Sequence, residues 1–347
     1  MKTADYDQLE SRPSFHTFSR DFQHVKEICD KRRKIPIISL DRASDILHHL
    51  RPHVNDFFSI TALHYINGGP EALLHFHHLL NTIINNINNA SAPEVNTVFS
   101  HILHKGHGKN KSLDSSYRTI STCPLLAKAL DTYVGELSSE TWESSQAETQ
   151  FQSKGLSHEH SAILLTEVIQ HALYEKKLPV YALFLDAKSA FDKALVEILG
   201  RRLFLDGTDD QKLSFIIRRL QNRITFCEWD SQLMGPIADE VGVEQGGKNS
   251  TENWKSYNNE ELTVPQETDF GVFFNEVDEV HVAAIGQADD CVLVSSDLHK
   301  LKFLLQLTLE YCDKYNVQLS PGKTKLQLYT PRSSTDSDYL TAAASAD

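Results

Sequence analysis

The sequence is poor in cysteine, short of positive charge and without a long apolar run. Each deficit removes a class of protein. The five cysteines of the 347 residues (Cys29, Cys123, Cys227, Cys291 and Cys312) are odd in number, scattered and never spaced as CxxC. A disulfide framework and a cysteine-rich zinc module are therefore not expected, and a reducing compartment fits best. No apolar stretch approaches the roughly 18–20 residues of a membrane span. The longest, Leu178–Leu185 and Val280–Ile285, have strand length, so no membrane partner is expected. The opening MKTADYDQLESRP has no apolar core of the secretory-leader kind. Lysine and arginine number 34 against 47 acidic residues, a net charge of −13. Proteins that simply coat nucleic acid are normally basic, so this balance counts against that class. A polymerase survives it, because its basic groove is local.

What is present suits a folded chain: 40% hydrophobic and 23% charged residues. The length allows about two domains of roughly 100–200 residues, or one large domain with appendages. Residues 1–90 read as a helical N-terminal extension. Within it, Glu71–Asn88 places apolar residues at helical period. Histidines gather here and just beyond, notably His75, His77, His78, His101, His104 and His107. With no cysteine nearby, surface or partly buried histidines are expected rather than zinc ligands.

From Val95 the texture changes. Strands are expected at Val98–Leu103, Tyr117–Ser121 and Ile224–Trp229, and a helix at Pro124–Val134. Residues 137–155 are polar and read as loop or weak helix; Ser157–Tyr174 reads as an amphipathic helix. Val180–Leu185 is the strongest strand, continuous enough to be covered on both faces, and it runs into Asp186. Helices are expected over Lys193–Leu205, Asp210–Leu220 and Asn249–Glu260. Val280–Val294 suits a hairpin with Asp289 and Asp290 at its tip, followed by a helix capped by Asp297 and a last strand at Lys323–Tyr329. Strands and helices mix without a βαβ rhythm, so the expected class is α+β.

Asp186 ends a buried strand and Asp289-Asp290 sit side by side between apolar strand residues. Such charges are costly unless compensated, and divalent cations would compensate them. Two Mg²⁺ about 3.5–4 Å apart activate an attacking hydroxyl and stabilise a leaving oxygen, so the pattern suggests phosphoryl or nucleotidyl transfer. A solvated turn is the plainer reading of an isolated Asp-Asp pair.

Around these carboxylates the sequence resembles the reverse transcriptases of non-LTR (LINE-type) retrotransposons. Leu183-Phe-Leu-Asp-Ala-Lys-Ser-Ala-Phe-Asp-Lys193 is similar to their motif A, and Gly242-Val-Glu-Gln-Gly-Gly247 to motif B. Gly286-Gln-Ala-Asp-Asp-Cys-Val-Leu-Val294 is similar to motif C, and Leu319-Ser-Pro-Gly-Lys-Thr-Lys325 to motif D. Lys105-Gly-His-Gly-Lys with Ser116-Tyr-Arg-Thr-Ile-Ser121 resembles the fingers segment. The five blocks stand in the family's order.

The resemblance implies a right-hand polymerase: fingers over 91–180 and a palm with an antiparallel sheet packed on helices over 181–332; the tail over 333–347, polar and Ala-rich, is expected to be disordered from its composition. It implies an RNA template, a DNA primer and dNTPs. Asp186, Asp289 and Asp290 would be the metal ligands for two Mg²⁺, or Mn²⁺, with Asp290 secondary. Lys323 would donate a proton to pyrophosphate. Lys105 and Arg118 would grip the triphosphate. Phe191 would be the steric gate against a ribose 2′-OH, and Gln245 with Gly246 would lie under the nascent base pair.

The pattern also has departures. Gln287 stands where many of these enzymes carry an aromatic facing the primer, and Gly247 stands where serine is common. Only 347 − 323 = 24 residues follow Lys323. The thumb is therefore expected to be absent or truncated, with a partner supplying thumb or endonuclease. An intracellular location, nuclear or cytoplasmic, follows from the family. A catalytically silent relic that keeps the palm as a binding module is the alternative. A viral-type RNA-dependent RNA polymerase is disfavoured by Phe191 and Ala288.

Overall fold

The structure is a computed structural model. It describes residues 13–30, 35–86, 93–106, 108–113, 116–153, 155–188, 190–221, 223–229, 232–239, 241–244, 246–275 and 280–331. Gln245 and the tail at 333–347 lie outside them. Ten strands occur among the described residues: β1 Thr97–His104, β2 Tyr117–Thr122, β3 Val180–Asp186, β4 Ile224–Trp229, β5 Gln232–Ala238, β6 Val272–Asn275, β7 Val280–Val282, β8 Ala284–Gln287, β9 Asp290–Ser295 and β10 Lys325–Tyr329. The chain forms two compact units, each built from two stretches. The first combines residues up to Ser145 with Phe191–Ser256; the second combines Gln146–Ala190 with Tyr257 onward. No described helix is long and apolar enough to cross a membrane.

The second unit is organised by β3. Its sequence VYALFLD is buried almost throughout, and it lies inside a sheet of order β10-β3-β9-β8 in which every pairing is antiparallel. Alternate side chains of a strand leave by opposite faces. Tyr181, Leu183 and Leu185 therefore pack with Leu293, Leu262 and with Leu301 and Leu304 of the helix Leu298–Lys314. Val180 and Ala182 leave by the other face and pack with Val292, Val294, Val168 and Ala172. Val168 lies on the helix His158–Gln170, and Ala172 on the π-helical turn His171–Glu175 that continues it. Burial on both faces is why this strand reads as an unbroken apolar run rather than an alternating one. Leu293 is fully buried at the centre of this packing. Leu293→Ala is expected to cost about 3 kcal/mol through lost contacts and a residual cavity. Urea denaturation checks this, and a loss under about 1 kcal/mol would contradict the packing described.

The first unit carries a sheet of order β2-β1-β4-β5, with β1 parallel to β4 and the other pairs antiparallel. Phe57 stacks on Phe226 at 4.7 Å and lies 6.0 Å from Phe99, which seals one face. The helix expected at Pro124–Val134 begins at Leu125 and continues to Ser145, into residues read as loop or weak helix. Its buried residues Leu130, Val134, Ser138 and Trp142 recur every fourth position, and Trp142 donates Nε1–H to Thr208 Oγ1 at 3.2 Å. A burial stripe continues, although serine and glutamate occupy the other faces.

Strand β5 was not expected. It is exposed along nearly its whole length and contains Gly235-Pro236, which reads as a turn in sequence. Proline is tolerated in a sheet at an edge, and β5 is an edge. The helix expected over Asn249–Glu260 spans Ser250–Gln266.

Candidate functional site

The second unit gathers the acidic residues at one end of its sheet. Asp186 is the last residue of β3 and Asp290 the first of β9, and the register sets them directly opposite each other. Opposed residues of an antiparallel pair have side chains on one face, with Cβ atoms about 4.5–5.5 Å apart. The face is the one that carries Ala182 and Val292 toward the helix His158–Gln170, by strand alternation.

The hairpin tip is one residue earlier than the sequence suggests. Gln287 pairs with Asp290, so the two-residue loop is Ala288-Asp289 rather than Asp289-Asp290. Ala288 takes φ +60°, a left-handed conformation at the first loop position, as in a type II′ hairpin turn. Asp290, the secondary residue of the sequence reading, is the one paired face to face with Asp186, and Asp289 stands beside both at the tip.

The loop after the helix Leu298–Lys314 docks on the end of β3. Ser320 donates its backbone N–H to the Asp186 carbonyl at 2.8 Å, and Ala187 bridges to Leu319. This docking delivers Lys323, whose Nζ donates to both Asp186 oxygens at 2.8 and 2.9 Å. The pair opens on a cleft of about 680 Å³ lined by Asp186, Asp290, Lys323, Gln287, Ser161 and Leu165, among others.

The electrostatics are those of a site with excess negative charge. Burial pushes the Asp289 carboxyl above its usual range, and Asp290 and Asp186 push it further against a backbone hydrogen bond and Lys323. Asp290 is also raised, by burial and then by Asp186, with Lys323 opposing. Among the described residues no three His, Cys, Asp or Glu side chains form a ready-made metal cage, these carboxylates included. Mg²⁺ commonly takes only one or two carboxylates and completes its shell with substrate phosphates and water. The donor set fits that demand: hard oxygens facing each other, strained by mutual repulsion, with the Lys323 ammonium drawn in as a counter-charge.

The other residues singled out in the sequence lie in the first unit. Arg118 is exposed on β2, opposite Leu103 of β1, and Lys105 follows two residues after Leu103, so both sit at the loop end of one hairpin. Lys105 donates its backbone N–H to Ser116 O at 2.8 Å. Phe191 is half-buried, with its ring 5.2 Å from that of the buried Trp254. Gly246 is exposed with φ +107°, and a Cβ there would fall 2.9 Å from Ser121 O.

One group in this unit was missed from the sequence: Arg219, Glu244, Asp131 and Cys123, all buried. Arg219 pairs with Glu244 at 2.9 Å and lies 3.8 Å from Asp131. Burial would raise Glu244, but Arg219 and then Arg223 outweigh it and hold its carboxyl below the ordinary value. Asp131 is raised to about 7, chiefly by burial, with Arg219 opposing the shift and Glu244 adding to it. The only local signal was Glu244 itself, a charge between Val243 and Gln245 just ahead of a glycine pair.

Comparison with known proteins places this architecture. A solved structure, apo telomerase from Candida tropicalis truncated from its C-terminal domain, superposes with a TM-score of 0.50 at 14% identity, over 74% of this chain. The chain spans 56% of that telomerase chain. A search of the curated proteins finds no match. At 14% identity the likeness to that telomerase is one of fold. The family model for reverse transcriptase (RNA-dependent DNA polymerase) matches residues 106–341, well over half of the chain. The chain belongs to the reverse transcriptase family.

Proposed function

We propose that the chain carries an RNA-directed DNA polymerase of non-LTR retrotransposon type, adding dNTPs to a DNA primer 3′-OH along an RNA template. The observation that carries this reading is the register pairing Asp186 with Asp290, with Asp289 beside them, in a chain of the reverse transcriptase family. The non-LTR assignment is supported by the order and wording of the five sequence blocks.

Asp186, Asp289 and Asp290 would hold the divalent cations. Two Mg²⁺, or Mn²⁺, bound there supply activation of the primer hydroxyl and neutralisation of the leaving pyrophosphate. Lys323, which the structure holds on Asp186, would give a proton to pyrophosphate, the role of a positioned general acid. Lys105 and Arg118 grip the triphosphate from the hairpin end; the Arg118 guanidinium suits two phosphate oxygens at once. Gln245 and Gly246 support the nascent base pair, where a glycine lets the backbone come close. Phe191, backed by Trp254, excludes the ribose 2′-OH.

Extension of a DNA primer annealed to RNA, with dNTPs and Mg²⁺, tests the reading. The wild type extends and Asp289→Ala does not; equal incorporation by both would remove the chemistry from this site. A second expectation concerns the sugar. Phe191→Ala should raise rNTP use relative to dNTP by about 10–100-fold, the range a steric pocket contact supplies. Unchanged selectivity in competition assays would remove Phe191 from the gate.

A further inference from the structure

We infer that the buried Arg219–Glu244 pair is a positioning device for nucleotide selection, fixing the Gly242–Glu244 segment and Gly246 between the backbone of Phe191 and the end of β2. This rests on the polymerase reading above and names residues that reading does not use.

Three connections meet at Glu244, and its neighbours are held in turn. Arg219, at the end of the helix Asp210–Gln221, is 4% exposed, and Glu244 is 5% exposed. Glu244 accepts from Cys123 Sγ at 2.8 Å, and Cys123 immediately follows β2, the strand of Arg118. On the preceding residues, Val243 donates its backbone N–H to Phe191 O at 2.7 Å and Gly242 donates to Ala194 O at 2.7 Å. On the following side, Gly247 donates to Glu244 O at 3.0 Å, and Gly246 sits tight against Ser121 O.

A second buried arginine grips the same segment further back. Arg223 donates to Val241 O at 2.9 Å and to Gly242 O at 3.1 Å, with Asp239 as its counter-ion at 2.7 Å. Neighbouring arginines from one stretch of chain thus clamp the segment by its carbonyls and by its carboxylate.

The energetics argue for placement rather than stability. A buried ion pair roughly repays its own desolvation, and replacing both partners by apolar groups is often neutral or stabilising. What the pair specifies is geometry: only one register of the segment lets the Glu244 carboxylate reach both Arg219 and Cys123. That register sets the Phe191 carbonyl and the Gly246 backbone together. As positioning residues, Glu244 and Arg219 act through Phe191 and Gly246 rather than on substrate.

The test compares the wild type with Glu244→Gln and with the charge-free pair Glu244→Leu/Arg219→Met. Glu244→Gln leaves a buried arginine without its counter-charge and can fail to fold; the pair variant removes both charges. In the pair variant, hydrogen exchange of the Gly242 and Val243 amides is expected to speed up by at least about ten-fold, while helices of the same unit keep their protection. The KM for dNTP should rise by about ten-fold with kcat changed by less than about three-fold, the signature of lost positioning of bound substrate. Wild-type exchange at both amides overturns the inference, as does a pair variant too unstable to fold, because the pair would then be a stability element. A wild type that does not incorporate nucleotides counts against the polymerase reading, while the exchange result still decides the inference.

Discussion

Asp186→Asn should lower nucleotide incorporation by at least about 10³-fold, because removing one cation-binding oxygen forfeits several kcal/mol of charge stabilisation in the transition state. Asparagine keeps the shape and the strand. The fold should not register the change. Asp186 lies opposite Asp290, and like charges directly opposed across a strand pair are destabilising. Against that relief stands the loss of the Lys323 ion pair, in which Lys323 is 67% exposed, so the pair contributes less than about 1 kcal/mol. The melting temperature should stay level or rise slightly. Single-turnover extension and a thermal melt on the same sample separate the two effects. Activity within about ten-fold of wild type would contradict a catalytic Asp186.

The second large effect is a fall in stability as pH rises from about 4.5 to about 7. Two buried carboxyls, Asp131 and Glu261, are each raised to about 7, chiefly by burial. Arg219 opposes the shift at Asp131 and a hydrogen bond to Asn258 opposes it at Glu261, while Glu244 and Asp289 respectively add to it. The folded chain therefore keeps protons that the unfolded chain loses near its ordinary carboxylate pKa. Where the folded state binds more protons, stability falls with pH, until both states are deprotonated above about pH 7. Glu197, Asp289 and Asp290 are shifted in the same direction. Glu244 is shifted the other way, so its contribution is lost only as pH falls below the ordinary carboxylate range. A carboxyl displaced as far as Asp131 or Glu261 contributes on the order of a few kcal/mol to this fall, so these two dominate it. Urea denaturation at pH 5.5 and pH 8 should show the higher midpoint at the lower pH. Asp131→Asn with Glu261→Gln should flatten the difference, and a midpoint that rises with pH would contradict both assignments.

The parts of this fold that were legible in the sequence are those whose burial is local and repetitive. The unbroken apolar run of β3 announced a strand covered on both faces, because six apolar residues in a row ending in an aspartate have strand length and no polar alternation. The hairpin β8–β9 was legible as a hairpin but was placed one residue late. Asp289 and Asp290 both suit a turn, and only the pairing of Asp290 with Gln287 and Asp186 decides between them. The continuation of the helix Leu125–Ser145 was hidden because its buried stripe includes Ser138, which no apolar pattern counts. Strand β5 was hidden by Gly235-Pro236, since an exposed edge strand needs no apolar alternation to exist.

The site shows the same division. Asp186, Asp289, Asp290 and Lys323 were singled out through short motifs whose residues are neighbours in sequence, and the sheet with the loop before β10 brings them together. The Arg219–Glu244 pair was not found, because two charges 25 positions apart leave no periodic trace until a fold buries them together.

Binding of divalent cations by the facing carboxylates of β3 and β9 is tested most directly by titrating Mn²⁺ into the wild type and into Asp186→Asn/Asp290→Asn, following the free ion by electron paramagnetic resonance. The wild type should bind Mn²⁺ and the double variant should bind at least about ten-fold more weakly, a cost of about 1.4 kcal/mol or more. Equal affinity in the two proteins would contradict a cation site at these carboxylates.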